Sequence, residues 1–120
     1  MRLGQLRRLS DGRCMVAKAA RAVSPIERMR GLLGRPALNA DEGLLIERCN
    51  LVHTLGMRYC LDLVFLDKHD RVCKLVGDVA PLRMAGSWRA AMTLELAPGE
   101  LARQGWRLGD QLVWEDQPCA

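Results

Sequence analysis

The sequence predicts a compact, mainly β domain with one short α-helix near residues 24–33. Three observations carry this. Leu61-Asp62-Leu63-Val64-Phe65-Leu66, the turn-forming Asp67-Lys68-His69-Asp70 and Arg71-Val72-Cys73-Lys74-Leu75-Val76 read as strand, turn and returning strand. Other short apolar runs, at 14–17, 43–47, 92–96 and 111–115, are likewise bounded by turn residues. Among the helix-start patterns, Ser24-Pro25-Ile26-Glu27 is the strongest: a serine cap, proline at the first helical position and glutamate at the third.

Taken in order, residues 2–9 and 13–22 read as a first hairpin across Ser10-Asp11-Gly12, although alanines at 17, 19, 20 and 22 leave a helix open there. The helix after Ser24 should run to about Leu33 and stop at Gly34. Ile26, Met29, Leu32 and Leu33 should pack on the sheet, with Glu27, Arg28 and Arg30 outward. Gly31 inside a helix costs roughly 1 kcal/mol against alanine, which suggests a close backbone approach. Arg30 and Arg35 flank it, as an anion site or as ordinary solvated side chains.

Residues 36–42 read as a connection and 43–47 as a strand. Cys49 to Met57 is ambiguous: a helix would place Cys49 and His53 on one face within joint reach of a metal, whereas an extended chain separates them by roughly 13 Å. Asn50, Thr54 and Gly56 favour the extended form, with a bulge at Gly56. Residues 77–91 carry little pattern and read as a long loop folding over one edge of the sheet. A strand at 92–96, a helical turn at 100–104, a turn at Gly109-Asp110 and a strand at 111–115 complete the chain, with a frayed tail.

At 120 residues the chain suits one domain, 1–120, able to bury a core of its own. The five cysteines, at 14, 49, 60, 73 and 119, form no CxxC pair and are odd in number. Neither a disulfide framework nor a zinc ribbon is encoded, and reduced thiols in a cytoplasmic protein are expected. Cys73 reads as a core residue and Cys119 as an incidental exposed thiol. The arginines at 2, 7 and 8 are followed by no apolar leader, and no window approaches a membrane span. Charge is uneven: residues 1–35 hold nine basic and two acidic side chains, net +7, and the remainder nine and twelve, net −3. The basic third suits an anionic partner, nucleic acid included, or simply a solvated surface.

The run Val52-His53-Thr54-Leu55-Gly56-Met57-Arg58, with Leu61-Asp62 and Val64-Phe65-Leu66-Asp67, resembles the signature of domain-of-unknown-function family 192. Arg30-Gly31-Leu32-Leu33-Gly34-Arg35, Glu42-Gly43-Leu44-Leu45, Leu94-Glu95-Leu96-Ala97-Pro98-Gly99 and Leu108-Gly109-Asp110 follow in the family's order, giving a core of about 12–115. Cys60 departs from the pattern, which often has proline there. The resemblance implies a small β-sandwich or barrel-like domain, and it implies no reaction.

Candidate chemistry centres on His53, Thr54, Met57, Arg58 and Asp62, with Arg83 from the 77–91 segment. His53 and Thr54 could orient a ligand whose carboxylate or phosphate meets Arg58. Against that stands a structural histidine bracing a bulge. Asp62, if buried, needs donors, for which Arg58 or Arg83 would serve, and a structural role is expected of it. The leading expectation is a non-enzymatic module binding a small ligand or protein, with no catalytic set, metal or cofactor. The alternatives are a thiol- or histidine-dependent hydrolase using Cys49 or Cys60 with His53, and anion or nucleic-acid binding through the basic third. Serines 10, 24 and 87 sit in no nucleophile context, and no phosphate-binding loop or dinucleotide fingerprint is present.

Overall fold

The computed structural model of the chain describes residues 1–31 and 36–116. In order these form β1 (Arg2–Arg8), β2 (Cys14–Ala22), α1 (Pro25–Arg30), β3 (Glu42–Glu47), β4 (Leu51–His53), β5 (Leu61–Leu66), β6 (Val72–Val79), β7 (Met84–Gly86), β8 (Met92–Leu96), α2 (Glu100–Gln104) and β9 (Leu112–Glu115). Seven strands make one sheet in the order β6-β5-β8-β3-β2-β1-β9, and β4 pairs with β7 in a second, two-stranded sheet. Every neighbouring pair is antiparallel except β2 and β3. Arg71 and Gln111, just ahead of the two edge strands, form an antiparallel bridge. The sheet is therefore curled until its edges meet at one end, a half-barrel in a mainly β fold.

Period-two alternation along the central strands builds two cores, one on each face. Leu45, Val64, Leu66, Leu94 and Leu96 point into the barrel, where they meet Leu6, Val16, Leu112 and Trp106. Leu44, Ile46, Leu61, Leu63 and Phe65 point to the other face, under Val52 of β4. This explains why β5 is buried throughout: it is covered on both sides. No helix among the described residues is long and apolar enough to cross a membrane.

The first hairpin forms as expected, and so does the Asp67 turn, whose carboxylate accepts from the amides of His69 and Arg71. The capping box at Ser24 and Glu27 is also present. The packing of α1 differs from expectation. Ile26 and Met29 are 79% and 83% exposed, and the helix buries no residue. Its orientation is set by polar contacts: the Glu27 carboxylate turns back onto the amides of Val23 and Ser24, and Arg28 is half-buried. That rolls the Ile26 and Met29 side outward. The helix ends at Arg30 with Gly31 as its cap at φ 52°, so Gly31 serves chain reversal rather than a helix interior. The expectations for Leu32, Leu33, Gly34, Arg35 and Cys119 lie outside the described residues.

The segment 77–91 is not a structureless loop. β6 runs on to Val79, and β7 pairs with β4 to roof the outer core. Gly56, at φ 80°, lies in the tight turn after β4, where the Met57 amide donates to the Thr54 carbonyl; it is not a bulge. Cys14 is disulfide-bonded, which corrects the expectation of uniformly reduced thiols. An odd cysteine count rules out a fully paired framework but not a single bridge, since pairing is decided by spatial approach. Cys49, Cys60 and Cys73 are free, and Cys73 packs half-buried against the outer core.

Five of the nine basic side chains in residues 1–35 meet acids from elsewhere in the chain. Arg2 pairs with Asp116, Arg7 with Glu115, Arg8 with Asp110, Lys18 with Asp41 and Arg21 with Glu47. The sheet order places β1 and β2 between β9 and β3, and acids in or beside those two strands meet these bases.

Candidate functional site

Three layers stack over the outer face of the sheet at β8. The strand alternates, so Leu94 and Leu96 enter the barrel while Thr93 and Glu95 face outward. Because β8 is central, Glu95 sits beside Leu44 of β3 and Leu63 of β5. A carboxyl on an apolar floor is the result. Thr93 is satisfied there, its hydroxyl donating to the Cys49 carbonyl at 2.8 Å. Glu95 is not: it is 4% exposed, and its Oε2 has no hydrogen-bond partner among the described residues. Burial pushes its pKa up to about 7, and burial is the one cause resolved.

A cavity of about 270 Å3 opens over this carboxyl. Ile46 and Leu61 belong to its floor. One wall comes from β4 and the turn after it, with Leu51, Val52, Leu55 and Met57; the other comes from Arg28, Met29, Arg30 and Gly31 at the end of α1. A side chain at Gly31 would begin 3.7 Å from Glu95 Oε1, so that wall lies in contact distance of the carboxyl. Arg28 Nε is a second buried polar atom without a partner. Tyr59 stands near enough for the Glu95 charge to add to the effect of burial, which raises the phenol.

The six residues singled out from the sequence divide clearly. His53 and Met57 line the cavity, His53 exposed. No hydrogen bond to the His53 ring occurs among the described residues. Thr54 is fully buried and structural. Its hydroxyl donates to the Ala80 carbonyl at 2.7 Å and accepts from the Arg83 amide at 2.8 Å, clamping β4 to the turn before β7. Arg83 contributes backbone to that clamp while its side chain is exposed, and Arg58 is exposed as well. Asp62 points to the opposite face. Its two oxygens accept from the amides of Asp78 and Leu101 at 2.8 and 2.9 Å, so backbone rather than arginine satisfies it, and Asp62 supports the first turn of α2.

Cys49 and His53 both line the cavity, but Cys49 Sγ donates to the Leu51 carbonyl at 3.3 Å. Cys60 lies outside it, and burial followed by the neighbouring Asp78 pushes its thiol up. Among the described residues no group of three or more metal-ligating side chains exists.

Glu95 escapes a reading of sequence because Met92-Thr93-Leu94-Glu95-Leu96 has the alternation of a strand with one wet face. The usable signal is that Glu95 lies in a block, Leu94 to Gly99, matching a family pattern.

Comparison with known proteins agrees with the fold. A structure from Sinorhizobium meliloti 1021, provisionally described as a transcription regulator, is 25% identical with a TM-score of 0.80, covering 94% of this chain and 92% of its own. A protein of unknown function from Novosphingobium aromaticivorans DSM 12444 is 21% identical with a TM-score of 0.79, covering 93% and 84%, a likeness of fold alone. The search of curated proteins gives no significant match. The profile of DUF192, described as an uncharacterized ACR, matches residues 7–114, and the chain belongs to that family.

Proposed function

We propose that the chain is a non-enzymatic binding module that holds a small ligand in the cavity over Glu95, with His53 at the rim and Met57 in the wall. One observation carries the reading: a buried carboxyl with an unpartnered oxygen at the floor of an apolar cavity. An orphaned buried polar atom costs about 1–3 kcal/mol, and a ligand that supplies the missing partner recovers it. The cavity volume, near the lower end for ligand sites, suits one small molecule. A cytoplasmic location completes the proposal and rests on the free thiols; the Cys14 disulfide is the observation against it.

A second reading has its own support. A carboxyl that titrates near neutrality is suited to proton transfer, so Glu95 could act as an acid or base on a bound molecule. The thiol version of enzymatic function has less behind it, given the raised Cys60 thiol and the occupied Cys49 donor. Binding of polyanions through the basic third is weakened by its ion pairs.

A fragment screen followed by amide NMR tests the proposal. Ligands should perturb Gly31, Cys49, Val52, Leu61 and Glu95 together. Hits confined to other surfaces, such as the groove between Ala20 and Leu38, would remove it.

A further inference from the structure

Resting on the cavity reading, we propose that the ligand is a small apolar molecule bearing a primary ammonium group, and that this group pairs with the Glu95 carboxylate. The argument begins with what the cavity lacks. Two neighbouring donors are already engaged, Thr93 on the Cys49 carbonyl and Cys49 on the Leu51 carbonyl, and Arg28 Nε, also buried, is bonded to neither Glu95 oxygen among the described residues. A donor that reaches Oε2 is what the described residues do not supply.

The sign of the missing group follows from the surroundings. The titratable and charged side chains facing this space are Arg28 and Arg30 from α1, Cys49 and His53 from the β4 side, and Tyr59 ahead of β5. No ion pair joins any of them to Glu95, and burial alone accounts for its raised value. Arg28 and Arg30 face the space, yet no ion pair among the described residues reaches the carboxylate when the proton leaves. An ammonium does so at hydrogen-bonding distance, while an alkyl body covers Ile46, Val52 and Met57. A neutral hydroxyl supplies the donor but no charge. A carboxylate can address Arg28 Nε, yet places like charge in the space of Glu95.

Proton linkage gives the proposal a distinctive signature. Below about pH 7 the empty site holds a proton that an ammonium must expel. Affinity for an ammonium then falls roughly tenfold for each pH unit below that value and is flat above it.

The test uses three probes with the same alkyl chain, hexylamine, hexanol and hexanoate, titrated into the whole chain and into Glu95→Gln at pH 6 and pH 8 with amide NMR. Hexylamine should bind at pH 8 about tenfold or more tighter than hexanol, as expected of a charge-assisted hydrogen bond. It should weaken at pH 6, and the substitution should abolish both effects. Hexanol or hexanoate binding as tightly as hexylamine at the same amides would overturn the ammonium assignment and leave the cavity reading standing. Failure of all three to perturb Gly31, Cys49, Val52 or Leu61 would overturn both. If Glu95→Gln does not fold, the preference for hexylamine over hexanol and hexanoate at pH 8 in the unsubstituted protein decides the matter, since His53 also faces the cavity.

Discussion

Replacing Glu95 by glutamine should make the domain more stable at pH 8 and leave it nearly unchanged at pH 4.5. The carboxyl takes its proton at about 7 in the folded state against 4.5 ordinarily, a gap of about 2.5 units. Folding thus favours the protonated form. The stability this contributes is fully present below about pH 4.5 and is lost as pH rises through about 7, a change of about 3 kcal/mol. Glutamine fills the same volume and never ionises, so the variant escapes the loss. The difference between the two proteins should grow from near zero at pH 4.5 to about 3 kcal/mol at pH 8, or on the order of 10 °C in Tm for a domain of this size. Urea unfolding at half-unit pH steps measures it directly. Histidines and other carboxylates are common to both proteins and drop out of the difference. A constant offset across the range would show that Glu95 does not titrate there, and the account of the cavity floor would fall with it.

Four further outcomes follow from other parts of the molecule. Asp62→Ala strands the amides of Asp78 and Leu101 and should cost about 2–4 kcal/mol by urea unfolding, with Asp62→Asn retaining part of the loss; a cost under about 1 kcal/mol would contradict its bracing role. Ser24→Ala removes the cap of α1 and should cost about 1 kcal/mol, seen as faster hydrogen exchange over residues 25–30 while the sheet amides stay protected. Cys60 should react with iodoacetamide at pH 7.5 more slowly than an unstructured thiol, because its thiol is raised; a fast reaction would reopen the thiol-enzyme reading. Gly4→Ala should destabilise by about 1–3 kcal/mol, since a Cβ there overlaps the Glu115 carbonyl and lies 2.6 Å from the Trp114 ring; chemical-shift changes should concentrate on β9.

Local chemistry was the part of this fold that sequence made legible. Ser24, Pro25 and Glu27 act within one turn, and Asp67 acts on amides two and four residues away, so short-range rules suffice for both. β5 was equally plain from its apolar run, which only Asp62 interrupts. Pairing at a distance was not legible. β7 is three residues long, and it is a strand because Thr54 clamps the neighbouring turn to β4, a contact across 29 residues. The same limit hid the proposed site. His53 and Met57 could be singled out because they stand in a conspicuous cluster, but the burial of Glu95 follows from its strand being central, and strand order is not written in any one strand. Asp62 drew attention for sound reasons, as a carboxylate in an apolar run. Its partners turned out to be backbone amides, which no side-chain pattern announces. The exposed face of α1 failed for a related reason: helical spacing says which residues share a side, not which way that side is turned.

The single parallel pair, β2 with β3, carries a consequence for how this fold can change. Antiparallel neighbours can be joined by tight turns, but a parallel pair forces the chain to travel back across the sheet, here through residues 23–41. That return path supplies one wall of the cavity. That wall, unlike the floor and the β4 wall, comes from residues outside every ladder. Replacing residues 28–31 should reshape that wall while the strands keep their register, checked by sheet amide chemical shifts.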